Sequence, residues 1–135
     1  MKRIGEKISE IRMYVDDFAE IMPGDFHLYR ANKEKKAACE RYVEKIVEAM
    51  TDLAFLAVKS KKFRMPEDDT DAFTILLENS IIDENLTAKL KAAKGMRNII
   101  AHQYGVVDDK VVFESLEELE KDAKEFVAVM DKKMK

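Results

Sequence analysis

The sequence predicts an all-α fold, an antiparallel bundle of about five helices. Composition is the first reason: the 135 residues are 47% hydrophobic and 38% charged, with only 4 Gly and 2 Pro. A β-sandwich or barrel needs many more turn residues than that. The second reason is rhythm, since apolar residues recur at spacings of three and four along most of the chain. The length corresponds to one domain, residues 1–135, with a single core.

Each element follows from local signals. Ile4, Ile8, Ile11, Val15, Phe18 and Met22 place an amphipathic helix over about residues 3–22, ended by Pro23-Gly24-Asp25. A longer pattern runs from Leu28 to Ser60, with Tyr42, Ile46, Met50, Leu53 and Ala57 on one face. It contains no Gly or Pro and reads as one helix. Met65-Pro66 breaks it, because proline cannot continue the hydrogen-bond ladder. Thr70 or Asp71 is the expected cap of a short third helix holding Phe73, Leu76 and Leu77. Asp83 starts a fourth, running through Leu86, Leu90, Ala93 and Met96 and stopped by Gly105. Val106 to Phe113 reads as a connector with brief extended character. Ser115-Leu116-Glu117-Glu118 has capping-box spacing, and Leu116, Leu119, Ala123, Phe126, Val127 and Met130 form the last apolar face.

Several function classes drop out. One cysteine, Cys39, allows no intrachain disulfide, and with two histidines it leaves too few soft ligands for a zinc site. No metal or other cofactor is expected. No signal segment and no membrane-length apolar run is present, so the expected location is the cytoplasm. The net charge of −3 argues mildly against a dedicated nucleic-acid binder, but charge is unevenly spread. Arg30 to Arg64 holds ten bases against five acids, Met65 to Ala88 seven acids and no base. Lys89, Lys91, Lys94 and Arg97 then restore positive charge. These runs are either a basic surface suited to phosphate or solvated helix faces, and the sequence favours neither.

The chemistry concentrates in Arg97-Asn98-Ile99-Ile100-Ala101-His102-Gln103-Tyr104. Asn98 and His102 are four apart, one turn of helix, and Arg97 and Tyr104 are seven apart on a shared face. Arg97 and His102 are five apart, about 140° around a helix, so bringing them together needs arginine's length or uncoiling before Gly105. Arginine plus histidine without a metal suffices for RNA cleavage. There the substrate's own 2′-hydroxyl is the nucleophile, and the protein supplies proton transfer and a cation. One histidine supplies half of an acid–base pair, and a two-fold dimer would supply both halves. The same spacing also fits a helix-end histidine and a surface arginine paired with nearby acids. His27, Cys39 and the eight methionines carry only structural expectations.

Arg97-Asn98, His102 and Tyr104 together resemble the RNxxxHxY signature of HEPN-domain proteins of the HepT type, the toxins of HepT–MntA toxin–antitoxin pairs. The resemblance extends over roughly residues 4–130. It includes Cys39 to Ala49, Pro66 with Ala72-Phe73, Ile81-Ile82-Asp83 leading to Leu90, and Val111-Val112-Phe113 to Phe126. It implies a homodimeric helical bundle with metal-independent endoribonuclease activity, Arg97 and His102 as the catalytic pair, and Asn98 in support. It further implies RNA as substrate and an MntA-like nucleotidyltransferase antitoxin as partner, in a complex that extends to larger hetero-oligomers. That partner would silence the toxin by AMPylation of Tyr104, adding bulk and negative charge beside the pair. The alternative is a non-catalytic HEPN accessory or substrate-binding subunit of a nucleotidyltransferase.

Overall fold

The computed structural model describes residues 2–102 and 108–135. Among them are six helices: α1 (Lys2–Ile21), α2 (Phe26–Ala31), α3 (Lys33–Ser60), α4 (Asp69–Glu78), α5 (Glu84–His102) and α6 (Asp109–Lys133). The expected apolar faces are the buried ones. Ile4, Ile8, Ile11, Val15 and Phe18 of α1 enter the core, as do Ile46, Met50, Leu53 and Ala57 of α3. Leu86, Leu90 and Ala93 of α5 join them, with all six residues assigned to the last face. Tyr42 is only half-buried, and its ring carries the Lys45 ammonium 5.2 Å from its centroid.

Helix α3 is the spine of the bundle, packing against each of the other five helices. That is why its buried set is wider than one stripe and also takes in Val43, Val47, Ala54 and Val58. Helix α1 closes the bundle by packing on both α3 and α6. Aromatic rings tie the far side: Phe73 of α4 meets Phe126 of α6 edge-to-face, centroids 5.9 Å apart.

The boundaries differ from the sequence reading in three places. The segment expected as one helix from Leu28 to Ser60 is two, separated at Asn32, whose backbone is extended (φ −109°, ψ 99°). Its side chain accepts from Lys35 N at 3.0 Å while its own N–H donates to the Leu28 carbonyl, so one residue closes α2 and opens α3. The cap of α4 is Asp68, two residues before Thr70, and accepts from Asp71 N at 2.8 Å. Helix α6 is capped by Asp108, so Phe113 is helical and Ser115 lies inside the helix, donating to the Val111 carbonyl. The Asp83 cap of α5 is as expected, accepting from Leu86 N at 2.8 Å. Helix α3 ends well before Pro66, through Lys62 in the left-handed region (φ 57°) and a hydrogen bond from Phe63 N to the Val58 carbonyl. No helix among the described residues is long and apolar enough to cross a membrane.

Candidate functional site

The expected site residues sit at the C-terminal end of α5, which faces α3, α4 and α6. Leu86, Leu90, Ala93 and Ile100 bury one side of the helix. That registration places Lys94 and Arg97 at the margins of the packed face rather than in open solvent. Lys94 is 8% exposed and reaches Asp69 in the first turn of α4, with Nζ 3.0 Å from the carboxylate. One turn later the Arg97 side chain is 20% exposed and its Nη2 donates to the Glu48 carboxylate of α3. Arg97 Nη1 lies 3.4 Å from Asn98 Oδ1, and Nε is buried without a hydrogen-bond partner among the described residues.

Arg97 is thus held against α3 through Glu48, with Asn98 beside it on α5. His102 is exposed at the last residue of α5. The helix continues through His102, so the uncoiling that was one route to convergence with Arg97 does not occur before it. The two residues therefore leave the helix about 140° apart. Tyr104 and Gly105 lie outside the described residues. Glu48 was not foreseen: it is 49 residues from Arg97, and only its place on the polar side of α3 hinted at it.

The charge distribution is also resolved. Lys89 pairs with Asp122 at 3.8 Å, Lys94 with Asp69 and Arg97 with Glu48, leaving Lys91 as the member of that basic run without an ion pair among the described residues. The run is therefore largely a set of inter-helix ion pairs and not an open basic surface. Cys39 and His27 keep their structural reading. Cys39 is fully buried and burial pushes its thiol up, which makes it a poor nucleophile. His27 is exposed on α2, a different helix from the motif. No three His, Cys, Asp or Glu side chains are grouped to hold a metal among the described residues.

A sequence profile of the ribonuclease HepT-like family matches residues 5–130. The chain belongs to the HepT-like family. Among curated HepT-like relatives, a protein of Archaeoglobus fulgidus with a provisional RNase name is 38% identical over 73 residues, 54% of either chain. The mRNA nuclease HepT of Shewanella oneidensis is 27% identical over 88 residues, 65% of this chain and 66% of that one. The chain therefore spans about half to two thirds of the length of these curated relatives. Its fold matches the tri-AMPylated Shewanella oneidensis HEPN toxin solved in complex with MNT antitoxin. The TM-score is 0.90 at 23% identity, covering 96% of this chain and 97% of that one. At that identity the likeness is one of fold alone, the same all-helical bundle in both chains.

Proposed function

We propose that this chain is the endoribonuclease toxin of a toxin–antitoxin pair, cleaving RNA without a metal ion. The observation that carries this is the setting of Arg97 in a HepT-like chain. Its stem is sunk in the seam between α3 and α5, and its terminal nitrogens are at the rim. In this reading the guanidinium binds the scissile phosphate and stabilises the charge that develops on it. The substrate's 2′-oxygen attacks the adjacent phosphorus and the bond to the 5′-oxygen breaks. His102 takes or gives the proton at one end of that displacement. The products are a 2′,3′-cyclic phosphate and a free 5′-hydroxyl. Asn98 supports the arginine. Because Arg97 and His102 leave α5 in different directions, a site shared between two protomers supplies what one lacks, which makes a homodimer part of the reading.

The relatives support a reading of the partner and the off-switch. The Shewanella toxin is AMPylated and bound to an MNT antitoxin. Here the corresponding partner is a nucleotidyltransferase, and Tyr104 is the acceptor. Its phenolic oxygen bonds to the α-phosphorus of ATP, pyrophosphate leaves, and the phenol proton is lost to solvent. The adenylate adds negative charge where the RNA phosphate binds. Residues 1–135 form one such domain, acting in the cytoplasm. The pairing of Lys89, Lys94 and Arg97 with carboxylates favours a second reading, a non-catalytic accessory subunit of the nucleotidyltransferase.

One assay separates the two. Purified protein in EDTA cleaves RNA to fragments with 5′-hydroxyl ends, and Arg97→Ala or His102→Ala lowers the rate by about 10²–10⁴. Mixed dimers of the two variants recover part of the activity. No cleavage by the unmodified protein establishes the accessory reading, and equal cleavage by both variants removes these residues from the mechanism. A mass increase by whole AMP units with the partner and ATP, lost in Tyr104→Phe, tests the acceptor.

A further inference from the structure

The Arg97 guanidinium is held on two edges by acceptors from different parts of the chain. Nη2 donates to Glu48 of α3, and Nη1 faces Asn98 Oδ1 at 3.4 Å. Nε is buried with no partner among the described residues, so the root of the fork is fixed inside the seam. A guanidinium has five N–H donors in a rigid plane. With Nη2 on Glu48, Nη1 beside Asn98 and Nε buried in the seam, the plane is set and the second N–H of each terminal nitrogen is left for a phosphate. An unrestrained arginine would sample many rotamers and pay for that freedom on each substrate encounter. The carboxylate that prevents this is 48% exposed. The arginine end of the pair is desolvated, with Nε buried, so Glu48 is its fixed counterion as well as the contact that orients it.

We infer that Glu48 is a positioning residue, which orients Arg97 from across the α3–α5 seam so that its free donors face the scissile phosphate. The inference rests on the reading of Arg97 as the phosphate-binding cation. Glu48 does not bind RNA and takes no proton. It acts through Arg97, and its side chain stays on the guanidinium while the phosphate takes the open edge.

Three variants and two readouts test this. Glu48→Ala lowers kcat about tenfold to a hundredfold, with a smaller change in KM and an unaltered pH profile. Glu48→Gln, which keeps an acceptor of the same length, restores most of the loss. In an Arg97→Ala background Glu48→Ala has no further effect, because the residue it orients is gone. The second readout needs no catalysis. The Arg97 Nε–Hε group gives a motionally restricted resonance in 15N relaxation measurements on the wild type, and this restriction is relieved in Glu48→Ala. Wild-type cleavage by Glu48→Ala overturns the inference, as does faster cleavage, which would make the carboxylate a mask on the arginine. Loss of the acidic limb of the pH profile in Glu48→Gln also overturns it, by making Glu48 the base. Unchanged Arg97 mobility in Glu48→Ala overturns it whatever the activity. If Arg97 is released in Glu48→Ala but no form of the protein cuts RNA, the positioning stands and the ribonuclease reading fails.

Discussion

Lys94, almost wholly buried on α5, reaches across to Asp69 in the first turn of α4, with Nζ 3.0 Å from a carboxylate that is itself 56% exposed. The asymmetry decides what each partner does. The lysine has left water and depends on its counterion, whereas the aspartate remains hydrated. Removing the carboxylate leaves a charge in the seam with nothing to answer it. Asp69→Asn is predicted to destabilise by about 1–3 kcal/mol, below the range for a fully buried pair because water still reaches the site. Lys94→Met removes the desolvated charge and keeps the length of the stem, and is predicted to be neutral or stabilising. Urea denaturation of both variants checks the pair of signs.

Arg64 gives an acid-dependent contribution. Its guanidinium donates to both oxygens of Asp71 at 2.7 and 2.9 Å and also engages Glu78, clasping the connector after α3 to α4. That contact, then the backbone N–H of Glu67, pulls the Asp71 carboxyl down to about 2. A carboxyl depressed by folding stabilises the native state above its unfolded value, and the contribution disappears as pH falls through the folded value. The melting temperature of the wild type is therefore predicted to fall between about pH 4 and pH 2 more steeply than that of Asp71→Asn. Scanning calorimetry across that window measures the difference.

Glu40 has the opposite sign. Burial pushes its carboxyl up, Lys36 works against this, and Asp109 and Glu44 add to it. An acid raised by folding is most compatible with the native state when protonated. Its contribution is present below the unfolded value and is lost as pH rises through the folded one. Glu40→Gln is predicted to melt a few degrees higher than wild type near neutral pH, with the gain shrinking at about pH 4. Equal gains at both values would place the effect in packing instead of charge.

The edge-to-face contact of Phe73 and Phe126, interplanar angle 81°, joins α4 to α6 through the core. Phe126 is fully buried. Phe126→Ala is predicted to cost about 3–5 kcal/mol through lost transfer energy and an unfilled cavity. Phe126→Leu keeps most of the volume and costs less. Both are read from chemical denaturation midpoints.

Much of the fold was legible because core helices announce themselves by spacing, as Ile4 to Phe18 and Leu116 to Met130 did. What escaped was local competition for caps. Asp68, Asp69, Thr70 and Asp71 all offer an oxygen at the start of α4, and Asp71 is claimed by Arg64, which leaves the cap to Asp68. Asn32 divides α2 from α3 without glycine or proline, by serving both helix ends. Asp108 starts α6 ahead of the serine box, so Ser115 turns back on the helix instead. In the candidate site, Arg97, Asn98 and His102 were legible from their spacing. Glu48 was not, because no pattern along the chain records that two helices will meet at those residues.

Helix α3 packs against all five other helices and leaves only its polar side to solvent, and this sets how the protein fails. A segment on which five others pack has no partial opening of its own, so hydrogen exchange at its central amides proceeds through loss of the whole bundle. Glu48 sits near the middle of that segment, which anchors the arginine clasp to the slowest-exchanging part of the molecule.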